Sequence, residues 1–213
     1  MQATRIIAIR HGETAWNVDT RIQGHLNIGL NERGRWQASR VAQALADESI
    51  QAIYASDLQR AWDTAGAIAK ATGQERQAHP GLRERSFGIL QGKTFTEIEA
   101  VWPEQAQRWR QRDPQWAPEG GESLRALSQR IVQTTSELAA RHLGGQIVLV
   151  AHGGVMDALY RAATKQEPQV PRSWNLSNAA INRLLWTPEG LTLVGWADTR
   201  HLEGEATRDE TST

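Results

Sequence analysis

The 213 residues suit one full-sized domain, or a domain with a small insertion, and can bury a real core without disulfide or metal staples. Twenty-four basic side chains balance twenty-four acidic ones, which removes any global attraction to nucleic acid or an acidic membrane surface. Cysteine is absent, so disulfides, thiol catalysis and thiolate metal sites are excluded. In chain order, Arg5-Ile6-Ile7-Ala8-Ile9 reads as a strand ending at Arg10-His11-Gly12, and a helical pattern runs from Glu32 to Ala46. The brief strand Ala52-Ile53-Tyr54-Ala55 follows. Ser56, with Gln59 three residues on, has the form of a capping box opening a helix that carries Leu58, Ala61, Trp62, Ala65, Ile68 and Ala69 and closes at Gly73.

Between residues 87 and 121 the β rhythm lapses into short helical pieces broken by Pro103, Pro114 and Pro118, with Trp102, Trp109 and Trp116 at near-regular intervals. This stretch is expected to be a helical cap whose indoles mostly pack the insertion onto the sheet while one or two line a pocket. A long helix from about 122 to 141 then ends at Gly144-Gly145, strand Gln146 to Ala151 follows, and a helix after His152-Gly153-Gly154 runs to about Ala163. Two apolar runs, Ile181 to Trp186 and Leu191 to Trp196, flank Thr187-Pro188-Glu189-Gly190 as an edge hairpin. Residues 203–213 are small, polar and aperiodic, the composition of a flexible tail. The expected fold class is a three-layer α/β/α domain over residues 1–202, with a mostly parallel sheet, one antiparallel edge strand and the cap insertion. With the apolar run 147–151 far too short to span a bilayer and no signal-peptide pattern at residues 1–4, a cytoplasmic protein is expected, as monomer or homodimer.

Three segments share one construction: a strand, a sharp turn bearing a cationic or potentially cationic side chain, then a helix. They are Arg10-His11-Gly12, Ser56 to Ala61 with Arg60, and Ala151-His152-Gly153-Gly154. If their strands are parallel neighbours, all three turns open at one sheet edge, where a phosphate dianion would meet two arginines, two imidazoles and helix N-terminal amides. His11 is the candidate nucleophile for phosphoryl transfer, which needs one ring nitrogen bare and the other held as N–H by an acceptor. Arg10, Arg60 and His152 would neutralise the equatorial oxygens, and the Gly153 amide would add a donor. No metal or cofactor is needed for that chemistry. Glu13 and Thr14 suit local helix-start bonding. Glu84, where the chain enters the cap, is the candidate proton donor to the leaving alkoxide.

Arg10-His11-Gly12, Asn17, the segment Ser56 through Ala65 and His152, in that order and spacing, resemble the histidine phosphatases, the superfamily that includes cofactor-dependent phosphoglycerate mutases. The resemblance spans nearly the whole chain. It implies a phosphohistidine on His11, proton donation by Glu84, a phosphate pocket of Arg10, Arg60 and His152, and a rim completed by Asn17, Gln23 and Gly24. Gly120-Gly121-Glu122-Ser123 resembles the segment that opens the long helix near the pocket. Asn27-Ile28-Gly29-Leu30 departs from the Asp-x-Pro-Leu common after the first motif. After Glu84 the chain reads Arg85-Ser86-Phe87-Gly88, without the histidine and tyrosine typical of mutases, and Gly153-Gly154 stands where mutases carry Gly-Asn-Ser. The implied activity is metal-independent hydrolysis of a small phosphorylated metabolite. A phosphoglycerate mutase and an inactive phospho-ligand binding module are the alternatives. Arg85, Arg108, Arg110 and Arg112 are candidates for holding a second anionic group on the substrate, against the bland role of solvated helix charges.

Overall fold

The computed structural model describes residues 2–203. Six strands form one sheet in the order β3-β2-β4-β1-β5-β6, with β1 Thr4–Arg10, β2 Ala52–Ala55, β3 Arg76–Ala78, β4 Gln146–Ala151, β5 Ile181–Thr187 and β6 Gly190–Asp198. The first four in that order are mutually parallel; β5 runs against β1, and β6 pairs antiparallel with β5. The antiparallel part of the sheet is thus the edge hairpin, with its turn at residues 188–189.

Alternation along β1 explains the layers, because successive side chains leave a strand on opposite faces. Ile6 and Ala8 join Tyr54, Leu149 and Ala151 against helices α6 (Leu124–Ala140) and α7 (Gly153–Thr164). Ile7 and Ile9 join Ile53, Val148 and Val150 against α2 (Glu32–Ala44) and α3 (Gln59–Thr72). The central strands are buried on both faces, as a helix-covered parallel sheet requires. Strand β3 was not expected: it is three residues long, largely exposed and has no apolar pattern.

The capping box expected at Ser56 does not form. Helix α3 begins at Gln59, and the Ser56 hydroxyl accepts instead from the Leu58 amide at 3.3 Å. The Gln59 amide is satisfied by Asn27 Oδ1 at 2.7 Å, so the segment that departs from the common Asp-x-Pro-Leu pattern supplies the cap from a distance. Gly73 closes the helix in the left-handed region, φ 68°, as expected.

Residues 87–121 leave the sheet and return to it at a narrow neck. Phe87 and Gly121 pair as an isolated antiparallel bridge, and the Glu122 amide donates to the Ser86 carbonyl at 2.8 Å. Gly88 at the neck has φ 50°, and a Cβ there would stand 1.8 Å from the Glu119 carbonyl oxygen, so only glycine fits. Beyond it lie α4 (Phe95–Val101) and α5 (Pro103–Gln111). Trp116 is buried with Leu90, Ile98 and Ala106, and Phe87, Phe95, Trp102 and Trp109 pack around them. These indoles therefore build a cluster of the cap's own, separate from both faces of the sheet. Among the described residues no helix is long and apolar enough to cross a membrane. The expected tail lies outside the described residues, apart from Glu203.

Candidate active site

Strands β2, β4 and β1 are adjacent and parallel, so the turns after them open at one sheet edge. The His11 amide donates to the Ala151 carbonyl and the Ser56 amide to the Val150 carbonyl, which carries the sheet's register into the turns. Gly12 follows because the loop passes against α2: a Cβ on it would lie 2.4 Å from the Gly34 carbonyl oxygen. Thr64 fixes the same turn by accepting from the Gly12 amide at 3.0 Å. Thr14 and Asn17 form a reciprocal capping box on the short helix α1 (Ala15–Val18). Glu13 binds Asn31 at 2.8 Å. Thr14 thus serves helix-start bonding as expected, whereas Glu13 reaches the distant N-cap residue of α2.

The hydrogen-bond network assigns the His11 tautomer. Nδ1 lies 2.7 Å from the Gly12 carbonyl, which only accepts, so the ring proton sits there. Nε2 is then bare, and Arg60 Nε donates to it at 3.3 Å. His11 is 3 % exposed, and burial, then the charges of Arg60 and Arg10, hold its pKa well below the ordinary imidazole value. The ring is therefore neutral at neutral pH, with its Nε2 lone pair turned to Arg60. His152 stands beside it with ring centroids 5.2 Å apart, and burial, then Arg60, His11 and Arg10, push its pKa down as well. Neither His152 ring nitrogen has a hydrogen-bond partner among the described residues.

Arg60 is held by two carbonyls, Leu26 at 2.9 Å and Gly24 at 2.8 Å, and burial lowers its pKa to about 10. Arg10 donates to the Leu176 carbonyl and keeps a buried Nε without a partner among the described residues. The Glu84 carboxylate accepts from the Gly154 amide at 3.0 and 3.1 Å and from the Arg85 amide at 2.7 Å. The helix-α7 amide bonded in the site is thus that of Gly154, directed to Glu84. Gly153 instead stands where a Cβ would lie 3.6 Å from Arg10 and 3.8 Å from Glu84.

One cavity of about 170 Å³ is lined by His11, Arg10, Arg60 and Glu84, with Asn17, Gln23 and Gly24 also on its wall. His152 and Gly153 do not line it; the His152 ring stands beside that of His11, and Gly153 borders the neighbouring chamber. Of the cap arginines, Arg85 and Arg112 border that chamber, while Arg110 pairs with Glu99 and Arg108 is exposed.

The sequence profile of the histidine phosphatase superfamily (branch 1) matches residues 6–199. The chain belongs to that superfamily. It is 39% identical over 202 residues to phosphoglycerate mutase-like protein 4 of Arabidopsis thaliana, covering 93% of this chain and 86% of the relative. It is 37% identical over 205 residues to a metal-independent phosphoserine phosphatase of the same plant, covering 94% and 84%. The structure of a mycobacterial glucosyl-3-phosphoglycerate phosphatase complexed with VO3 superposes with a TM-score of 0.82 at 36% identity, covering 92% of this chain and 99% of that one. Among histidine phosphatases this chain is a phosphoric monoester hydrolase, and the phosphatase-named relatives favour hydrolysis over the mutase alternative.

Two contacts of this histidine phosphatase escaped the reading of its sequence: Asn178 Nδ2 holds the His11 carbonyl at 2.9 Å, and His25 Nε2 bonds the Glu84 carbonyl at 2.8 Å. Trp109, stacked on Phe87 at 5.0 Å, walls the cavity, as expected of one or two of the cap indoles. Position beside Gln23-Gly24 was the only signal for His25. Asn178 had none, since it precedes β5 in a polar stretch without period.

Proposed function

We propose that this enzyme hydrolyses small phosphomonoesters, without a metal, through a phosphohistidine on His11. His11 Nε2 attacks phosphorus as the ester P–O bond breaks, and Glu84 in its carboxylic acid form passes its proton to the departing alkoxide. A water then gives its proton to the Glu84 carboxylate and attacks phosphorus; the P–N bond breaks, phosphate leaves, and His11 is restored. Arg10 and Arg60 neutralise the phosphoryl oxygens in both steps, the neutral and unpartnered His152 offers them a ring N–H, and Asn17, Gln23 and Gly24 shape the rim. The observation that carries the reading is the His11 ring itself, with Nδ1 tied to the Gly12 carbonyl and Nε2 bare in a pocket shared with Arg60 and Glu84. Arg60 Nε occupies that lone pair in the structure; an incoming phosphoryl oxygen is a stronger acceptor and draws the N–H away.

Residues 1–202 are taken as one catalytic domain with 87–121 as its cap, in a cytoplasmic enzyme acting as monomer or homodimer. Metal independence is supported by the relative of that name. The test is phosphate release from a panel of phosphomonoesters with and without EDTA. Release should survive EDTA, vanish in His11→Ala, fall at least tenfold in Glu84→Gln, and be accompanied by an acid-labile phosphoenzyme. Activity indifferent to His11 would sink the proposal. Interconversion of 2- and 3-phosphoglycerate faster than hydrolysis would replace it by the mutase reading.

A further inference from the structure

The Glu84 carboxyl is aimed by one peptide group, the one that joins Glu84 to Arg85. Its amide end donates to Glu84 Oε1 at 2.7 Å. Oε1 also accepts from the Gly154 amide, whereas Oε2 accepts from Gly154 alone, so Oε2 carries the proton of the acid form. The carbonyl end of the same peptide accepts from His25 Nε2 at 2.8 Å and from Arg130 Nη2 at 3.4 Å. A trans peptide is rigid and sends its N–H and C=O in opposite directions, so fixing the carbonyl aims the amide. Neither His25 nor Arg130 borders the His11 pocket or the chamber beside it. We propose that His25 and Arg130 are positioning residues for proton transfer: they clamp this peptide and thereby hold the Glu84 carboxyl where it meets the leaving oxygen. The proposal rests on the role given above to Glu84.

Arg130 reaches the peptide from α6. Its Nη1 donates to the Gly81 carbonyl at 2.8 Å and the Arg83 carbonyl at 2.9 Å, so with Nη2 one guanidinium holds three carbonyls of the segment that brings Glu84 to the site. Residues 83–86 lie in no helix or strand, and their carbonyls have no ladder to join. Glu122 grips Arg130 with both oxygens, Oε1 to Nε at 2.9 Å and Oε2 to Nη2 at 2.7 Å, which fixes the plane of the fork. Glu122 sits on the returning limb of the cap neck, with its amide on the Ser86 carbonyl and its own carbonyl on Arg85 Nε. The segment Gly120-Gly121-Glu122-Ser123 lines neither cavity, and it reaches the chemistry through the arginine it orients.

His25 reaches it from the rim. Its Nε2 faces an oxygen that only accepts, so that nitrogen carries the ring proton. The His25 amide donates to Gln91 Oε1 at 2.7 Å, which pins the residue to the cap. Its neighbours Gly24 and Leu26 give Arg60 the two carbonyls that orient it. One loop therefore aims the phosphate-binding guanidinium and, through the peptide, the proton donor. A misplacement of about 1 Å at such a point costs on the order of a hundredfold in rate.

Phenyl and 4-nitrophenyl phosphate test this, being alike in shape and unlike in their need of a proton. Phenoxide, of the tyrosine type, needs one to leave at neutral pH, whereas 4-nitrophenoxide leaves far more readily without it. The preference for the nitrophenyl ester in kcat/KM, which reads the steps through departure of the alcohol, should rise by about tenfold or more in Glu84→Gln. His25→Ala and Arg130→Met should each raise it by about threefold or more, and His25→Gln, whose amide donates to the same carbonyl, should recover part of the wild-type ratio. In a Glu84→Gln background neither substitution should move the ratio further. Because Arg130→Met strips Glu122 of its partner, Arg130→Met/Glu122→Gln is measured beside it, with urea midpoints to follow the fold. A merely structural loss slows both esters alike. A ratio that shifts in Glu84→Gln but in neither His25→Ala nor Arg130→Met would overturn the proposal and leave the phosphatase standing, as would a shift that persists in the Glu84→Gln background. A ratio moved by one residue alone would overturn the assignment of the other. A ratio unmoved in Glu84→Gln would overturn Glu84 as proton donor and this proposal with it. Absence of turnover and of phosphoenzyme with both esters would bring down the His11 reading as well.

Discussion

The two neutral imidazoles give the enzyme a pH-dependent stability that can be isolated. His11 and His152 are buried and held well below the ordinary imidazole pKa, by desolvation first and then by Arg60 and its neighbours. Above pH of about 6.5 each ring is neutral in both the folded and the unfolded chain and adds no pH dependence. As the pH falls through that value, the unfolded chain binds a proton at each ring that the native fold refuses, so stability falls with pH until the depressed native pKa is reached. The slope is limited to one proton per ring. Between pH 7.5 and 5.5 this amounts to at most about 1.4 kcal/mol for each histidine and about 2.8 kcal/mol for the pair. Urea unfolding at those two pH values, in wild type and in His11→Gln/His152→Gln, reads the difference directly. The double variant should lose less than wild type on acidification, by up to about 2.8 kcal/mol, while the depressed His142 and His201 contribute to both and cancel. Equal losses would mean that the native rings take up protons near pH 6, and the neutral nucleophile would have to be abandoned.

Gly154→Ala should separate chemistry from folding. Its Cβ would fall 2.3 Å from Glu84 Oε1, displacing a side-chain carboxylate, so kcat should drop by about a hundredfold while the urea midpoint hardly moves. Gly12→Ala should damage both, because its Cβ meets the Gly34 backbone oxygen: about 1–3 kcal/mol in urea unfolding, with activity below detection. Asn27→Ala removes the remote cap of α3, whose first turn carries Arg60. A loss of about 1 kcal/mol and weaker product inhibition by phosphate are expected, and unchanged inhibition would disconnect the cap from the pocket.

What the sequence made legible was whatever local pattern controls. Ile6 to Ile9 announce a strand buried on both faces, and the turns after β1, β2 and β4 meet because parallel pairing leaves them no other edge. What it concealed depends on contacts distant along the chain. Ser56 and Gln59 have the spacing of a capping box, yet Asn27 wins the Gln59 amide from thirty-two residues away. Likewise His25 and Asn178 hold Glu84 and His11 through backbone carbonyls, a bond that any polar side chain can make and that therefore leaves no signature in residue type. The Gly153-Gly154 pair was visible as a helix start, but which amide meets Glu84 depends on the loop leading into the cap.

A chain with no net charge still builds a cationic hole, and the partners of its arginines explain how. At the surface, Arg83, Arg183 and Arg200 pair with Asp57, Glu48 and Asp198 at 2.5 to 2.6 Å, and their charges are cancelled. Around the site, Arg60, Arg10 and Arg85 are oriented by carbonyls of Gly24, Leu26, Leu176 and Glu122. A carbonyl fixes a guanidinium in place without neutralising it. Burial then lowers Arg60 and Arg85 to about 10 against the opposing charge of Glu84, so both stay protonated at neutral pH but are deprived of water. That unfavourable state is relieved when a phosphate dianion enters, and relieved further as negative charge redistributes over the transferring group. Pairing these arginines with carboxylates, as at the surface, would stabilise the empty pocket and weaken its hold on the dianion.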